Sequence, residues 1–206
     1  MSPETNEKLK SVKKWYRLRM NGVASQSMRE KGLDYKIAWG ISFPDLAAYA
    51  KEQGKDRELS QELWKENIRE SKILATLMMP PADMSDELAD LWVTQITNQE
   101  IAEMAAMNLF RHLAGAKELA LKWLSLDNDM VQICGYHTIA RILSGGTMLD
   151  ERDINELIDQ AATALGGGSL AVRHAATNAI ARFAMQSDEC KMIAKAAFKN
   201  LDLDIF

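Results

Sequence analysis

A pair of helix-forming segments recurs along the chain and constrains the fold more than any other feature. In each copy a tryptophan lies near the end of one segment, and an apolar segment with helical spacing follows. The tryptophans are Trp64, Trp92 and Trp123, and successive ones are 28 and 31 residues apart. A helix pair repeating at this scale is typical of an α-solenoid, in which each pair buries its apolar side against the next. We therefore predict about five or six stacked pairs with the three tryptophans buried between them.

The predicted helices begin and end at residues that cap or break helices. Serine, asparagine and aspartate side chains accept hydrogen bonds from the free N–H groups of a first helical turn. Such residues precede six apolar segments, at Ser42, Asp56, Ser85, Asn98, Asp150 and Ser169. Prolines and glycines interrupt the pattern at Pro80-Pro81, Gly145-Gly146 and Gly166-Gly167-Gly168, which we interpret as turns. Because no segment alternates as a strand does, we predict an all-α fold.

The predicted architecture is one solenoid domain, residues 1–206, of HEAT-like, armadillo-type helix pairs with a concave face. The repeats occupy 41–200, and 1–40 form a basic helical arm in front of them. The arm holds nine Lys or Arg against four acids, although the whole chain has a net charge of −4. A basic arm on an acidic body favours contact with nucleic acid, and a solvated amphipathic helix is the alternative. The expected phosphate contacts of the arm are Lys10, Lys13, Lys14, Arg17 and Arg19.

Composition and motifs exclude several other classes of protein. The apolar stretches, such as Ile73 to Met79, are too short to span a membrane. The two cysteines, Cys134 and Cys190, do not form a CxxC motif or lie beside ligand-spaced histidines, so we expect no metal site. The catalytic GxSxG, P-loop and HExxH motifs are missing, and nothing indicates a cofactor. We expect a soluble, cytoplasmic protein.

Several segments resemble a known family. They include Phe43-Pro-Asp-Leu46, the run Arg69-Glu-Ser-Lys-Ile-Leu-Ala-Thr-Leu77, and Met107-Asn-Leu-Phe110. These are similar to the bacterial DNA alkylation repair family of HEAT-like-repeat alkylpurine DNA glycosylases, over about residues 35–182. The resemblance implies a basic concave face that holds duplex DNA. It also implies removal of N3- and N7-alkylated purines by cleavage of the N-glycosidic bond, without a cofactor.

The family's catalytic positions are largely substituted in this chain. The family has a tryptophan, and four residues later an aspartate, just before the Met-Asn-Leu-Phe segment, where this chain has Gln99 and Glu103. The family's arginine aligns approximately with Ile133, and its second tryptophan with Asn178. Only the acid keeps its chemical type, because Glu103 stands where the family has an aspartate and differs from it by one more methylene. The resemblance therefore implies that excision is weak or lost, with Glu103 as the candidate catalytic carboxylate and an ordinary surface acid as the alternative.

Three functions remain open at this point. The first is a divergent glycosylase-like DNA-binding protein, the second a non-catalytic binder of a DNA structure, and the third a HEAT-repeat scaffold for a protein partner. The net negative charge favours the scaffold, whereas the basic arm and the resemblance favour DNA. The residues expected on the DNA-binding concave face are Lys13, Lys14, Arg17, Lys72, Gln99, Arg173, His174 and Asn178, with Arg111 and Arg182 in support.

Overall fold

A computed structural model describes residues 1–33 and 35–199. Asp34, one of the acids of the basic arm, and the last predicted repeat residue, at position 200, lie outside the described residues. The fold consists of two compact units, one spanning Met1–Met84 and a second that begins at Ser85. The prediction of one domain over the whole chain stays a prediction.

The first unit contains five α-helices among its described residues. They are α1 (Pro3–Arg19), α2 (Gly22–Glu30), α3 (Phe43–Gln53), α4 (Arg57–Trp64) and α5 (Arg69–Met78), followed by a short 3₁₀ turn at Pro81–Asp83. Helix α5 packs against both α3 and α4, and α1 packs on α4. Glu58 on α4 secures α1, because its carboxylate accepts hydrogen bonds from Ser2 N at 2.6 Å and from Thr5 Oγ1 at 2.7 Å.

The second unit is built from two layers of helices. Helices α6 (Asp86–Thr94), α8 (Ala116–Leu124), α10 (Glu151–Gly167) and α12 (Asp188–Ala197) form the outer layer, and α7 (Gln99–Asn108), α9 (Asp129–Ser144) and α11 (Leu170–Ala184) form the inner layer. Helix α9 packs between α7 and α11, and α8 and α10 cover α9 and α11 respectively. A 3₁₀ turn at Phe110–His112 joins α7 to α8.

The predicted caps and tryptophans are confirmed. All six predicted residues accept a hydrogen bond from a backbone N–H group of the first turn that follows them. Trp64, Trp92 and Trp123 are all buried. Trp123 links two outer helices, because its Nε1 donates to Asp90 Oδ1 on α6 at 2.8 Å.

The break predicted at Gly166-Gly167-Gly168 is confirmed at its last residue. Helix α10 continues through Gly166 and Gly167 and ends at Gly168, whose N–H donates to the carbonyl of Ala164 at 2.7 Å. A glycine inside a helix lowers its stability by about 1 kcal/mol relative to alanine, which the packing of α10 against α11 and α8 offsets here. Within residues 1–33 and 35–199 the only β-type pairing is an isolated parallel bridge between Ile37 and Ile68, so the all-α prediction holds.

Candidate nucleic-acid interface

Glu103 lies on α7, one helical turn after Gln99. Asn98 caps the start of the helix. Gln99 and Glu103 are four residues apart, so their side chains project from the same side of the helix. Gln99 Nε2 donates a hydrogen bond to Glu103 Oε1 at 2.8 Å. The Glu103 side chain remains 38% exposed, so its carboxylate reaches the surface while one oxygen is already held.

His137 on α9 approaches the same carboxylate. Its Nε2 lies 3.6 Å from Glu103 Oε1, and the imidazole is only 17% exposed. Burial lowers the pKa of His137; the Glu103 carboxylate opposes this shift and the nearby Arg141 adds to it. The imidazole is therefore neutral at neutral pH. The sequence does not indicate a role for His137, because helical periodicity does not show that α9 lies beside α7.

The inner layer also carries three arginines. Arg141 lies one turn after His137 on α9, and Arg173 and Arg182 lie on α11. All three are exposed, and none forms an ion pair with any described residue. His174 is exposed and Asn178 partly exposed on the same helix. Helices α9 and α11 together carry three arginines against one acid, Asp129.

The lysines of the outer layer are arranged differently. Lys122 Nζ lies 2.6 Å from Asp90 Oδ2, so it joins α8 to α6. Lys117 Nζ lies 2.5 Å from Asp153 Oδ2, so it joins α8 to α10. Lys117 and Lys122 are thus neutralised by acids of neighbouring helices, whereas the arginines of α9 and α11 are not. Other cations of the outer layer are exposed and also lack an ion pair with a described residue, namely Arg152, Lys191 and Lys195.

In the first unit, the cations of α1 divide in the same way. Lys8 pairs with Glu4 and Asp56, Lys10 pairs with Glu7, and Lys13 Nζ lies 2.5 Å from Glu66 Oε1. Lys14, Arg17 and Arg19 are exposed and form no ion pair within the described part of the chain. Lys13 thus forms an ion pair with Glu66, whereas its neighbours Lys14 and Arg17 have no such pair with a described residue.

Comparisons with known proteins identify the family and the fold. A sequence model of the family described as DNA alkylation repair enzyme matches residues 20–190. The chain belongs to this family. A solved structure matches with a TM-score of 0.83 at 16% identity, over 94% of this chain and 83% of the other. It is described as a new family of proteins related to the HEAT-like repeat DNA glycosylases with affinity for branched DNA structures. This likeness confirms the HEAT-like repeat fold. A search of curated protein sequences finds no match.

The structure describes the residues that the sequence analysis predicts at catalytic positions of the family. Gln99 is exposed and hydrogen-bonded to Glu103. Ile133, predicted to align with the family's arginine, is completely buried one turn before His137 on α9. Asn178 is partly exposed on α11. The structure therefore brings Gln99 and Glu103 together and adds His137, while Ile133 belongs to the core.

Lys72 and Arg111 have local partners. Lys72 on α5 donates to the carbonyl of Trp64, and its ammonium lies 4.3 Å from the centroid of the Trp64 ring. Burial lowers the pKa of Lys72 to about 8, although the carbonyl and the ring both favour the charged form. Arg111 Nε donates to His112 Nε2 at 3.0 Å.

Among the described residues, no group of three or more His, Cys, Asp or Glu side chains is placed to hold a metal ion. No helix in 1–33 or 35–199 is both long and apolar enough to cross a membrane.

Proposed function

We propose that this member of the DNA alkylation repair family binds DNA through α9 and α11 and excises alkylated purines weakly or not at all. The observation that carries the proposal is that the exposed arginines of α9 and α11, Arg141, Arg173 and Arg182, have no acidic partner among the described residues. Lys117 and Lys122 of α8, in contrast, are neutralised by aspartates.

Arginines without an acidic partner suit a phosphate backbone. A guanidinium forms two parallel hydrogen bonds with a phosphate and keeps its charge at every physiological pH. Each phosphate that is neutralised also releases condensed counterions from the DNA, which drives binding. Lys14, Arg17 and Arg19 of α1 add sequence-independent contacts of the same kind. Such contacts explain how a chain with a net charge of −4 binds a polyanion.

Weak excision follows from the setting of Glu103. Departure of a cationic purine leaves positive charge on the sugar, which a nearby carboxylate stabilises. In this chain Gln99 already holds one oxygen of that carboxylate, and the positions of the family's aromatic residues have Gln99 and Asn178. A cationic base gains about 0.5–2 kcal/mol from each aromatic face, and these contacts are lost.

The preferred DNA is branched. The solved structure with the same fold is described as having affinity for branched DNA structures. A protein that contacts phosphates without holding a flipped base responds to the shape of the backbone rather than to a lesion. A HEAT-repeat scaffold for a protein partner is the alternative, and it requires no salt-dependent DNA binding.

The test compares two double variants with the same change of charge. Arg173→Ala with Arg182→Ala removes two free cations of α11, and Lys117→Ala with Lys122→Ala removes two paired cations of α8. Affinity for a duplex and for a four-way junction is measured over a range of salt concentrations. We expect the arginine variant to flatten the slope of log affinity against log salt by about 2, and the lysine variant to leave it unchanged. The proposal fails if the natural protein binds neither DNA at about 50 mM salt.

A further inference from the structure

Three large apolar side chains are exposed where α1 meets α2, at residues 17–23, which we call the α1–α2 corner. Leu18 is 74% exposed, Met20 57% and Val23 82%. Single exposed apolar side chains are ordinary on protein surfaces, but three within six residues form a patch. The described contacts of the first unit leave this patch uncovered.

The corner is surrounded by positive charge. Arg17 and Arg19 lie within it and Lys14 lies one turn earlier, and none of them has an ion-pair partner among the described residues. The sequence contains no acid between Glu7 and Glu30. Exposed apolar side chains whose charged neighbours in the sequence are all cations complement a partner with both negative charge and accessible apolar surface.

The corner is held in place by the first unit's interior. Asn21 Oδ1 caps α2 by accepting from Ala24 N at 3.0 Å, and Asn21 N donates to the carbonyl of Trp39 at 2.8 Å. Gly40 lies so close that a Cβ there would stand 2.2 Å from Asn21 O. The buried Glu70 carboxylate in turn accepts hydrogen bonds from the N–H groups that follow Ala38. Because this backbone is already ordered, binding loses little conformational entropy.

We propose that the α1–α2 corner docks at the branch point of branched DNA, where its apolar side chains cover base pairs that lack a stacked neighbour. Arg17, Arg19 and Lys14 contact the adjacent phosphates. A continuous duplex hides its base faces by stacking, whereas a branch point exposes them, and apolar wedges are a known means of engaging opened base steps. This inference rests on the proposed function, because it names the part of the chain that distinguishes branched from linear DNA.

The decisive variant changes only the apolar side chains. Leu18, Met20 and Val23 are replaced together by serine, which leaves every charge in place. The matched control replaces three exposed apolar residues of the second unit, Leu91, Leu126 and Met192, by serine. Both variants alter exposed positions, and equal thermal unfolding midpoints show that the fold is retained.

Affinities are measured for a four-way junction and for a linear duplex of the same base composition. We expect the corner variant to bind the junction about tenfold or more weakly, since burial of each apolar side chain contributes to affinity. Its duplex affinity and its salt slope stay unchanged because no charge is altered. A 2-aminopurine at the branch point should change its fluorescence with the natural protein and the control variant, but not with the corner variant.

The outcomes separate this inference from the proposed function. If the corner variant binds the junction as tightly as the natural protein, the inference is overturned and DNA binding stands. If the natural protein binds neither DNA, the proposed function fails and the inference with it. Loss of binding to vesicles with anionic lipids in the corner variant, with junction binding intact, assigns the corner to a lipid surface and also overturns the inference.

Discussion

His137 Nε2 lies 3.6 Å from Glu103 Oε1, and this pair joins α7 to α9 at the centre of the inner layer. The same oxygen accepts a hydrogen bond from Gln99 at 2.8 Å. Glu103, the predicted catalytic acid, is thus hydrogen-bonded to Gln99 and faced by the neutral imidazole of His137. Gln99 takes up hydrogen-bonding capacity, and both side chains take up space, that a water or a sugar would need in an excision reaction.

We expect release of 7-methylguanine from methylated duplex DNA to be weak or undetectable. The lost aromatic contacts, the buried Ile133 and the longer acid together remove several orders of magnitude in rate, at about 1.4 kcal/mol for each tenfold. Any remaining release should disappear in Glu103→Gln, which keeps the shape and removes the charge. The measurement is single-turnover release, with protein-free DNA as the control. Strong release that persists in Glu103→Gln would show that the alignment and the mechanism are both wrong.

His137 makes stability depend on pH. Its pKa in the folded protein lies below the ordinary 6.5, mainly because of burial, with Glu103 opposing the shift and Arg141 adding to it. The unfolded chain therefore binds more protons in this range, so the contribution is complete above about pH 6.5 and is lost as the pH falls. We expect the free energy of unfolding, measured in urea from pH 8 to 5, to fall less steeply in His137→Gln. Parallel curves for the two proteins would contradict this account.

The cations of α1 should contribute unequally to DNA binding. Lys13 is engaged by Glu66, whereas Lys14 and Arg17 are free of ion pairs with described residues. Replacing all three by alanine should weaken binding evenly across sequences and flatten the salt slope. Lys14→Ala with Arg17→Ala should account for most of that change, about 1–2 in slope, and Lys13→Ala alone for little. An equal effect of Lys13→Ala and Lys14→Ala would refute the distinction.

The sequence predicts the helices well because their signals are local. A cap such as Ser42 or Asp150 acts within four residues, so it is visible without tertiary information. The break predicted at Gly166-Gly167-Gly168 occurs at its last residue, because packing on neighbouring helices keeps the first two glycines helical in spite of their weak propensity. The tryptophans are identified as core residues because their recurrence marks a repeated structural position.

The candidate site is predicted only in part, because its contacts join distant segments. Gln99 and Glu103 are one helical turn apart, so sequence spacing places them together. His137 joins them only because α9 stacks on α7, and helical periodicity does not specify which helices are neighbours. The contrast between paired lysines and free arginines likewise depends on Asp90 and Asp153 of adjacent outer helices.

Glu70 should be among the most sensitive positions of the first unit. Its fully buried carboxylate accepts hydrogen bonds from the N–H groups of Trp39, Gly40 and Ile41 and lies 3.3 Å from Arg69 Nη1. Glu70→Gln removes a buried negative charge that accepts these hydrogen bonds, which should lower the free energy of unfolding by about 1.5–3 kcal/mol.

The control for Glu70 is Glu62→Gln, which removes an ion pair with the exposed Lys65 and should change stability by less than about 1 kcal/mol. The free energies of unfolding of Glu70→Gln and Glu62→Gln are measured in urea and compared. Equal stability of the two would mean that the buried carboxylate does not anchor the segment that holds the α1–α2 corner.

Two changes of glycine to alanine should alter stability in opposite directions. Gly135 lies inside α9, where a Cβ would stand 2.9 Å from Leu124 Cδ2 and 3.0 Å from the carbonyl of Ala120, so α8 and α9 would have to separate. Gly135→Ala should destabilise the protein by about 1–3 kcal/mol in spite of its better helix propensity. Gly166 lies inside α10, and a Cβ there meets none of the described atoms within 4 Å, so Gly166→Ala should stabilise by about 0.5–1 kcal/mol. Urea unfolding measures both, and a gain in stability from Gly135→Ala would show that α8 and α9 do not require this close approach.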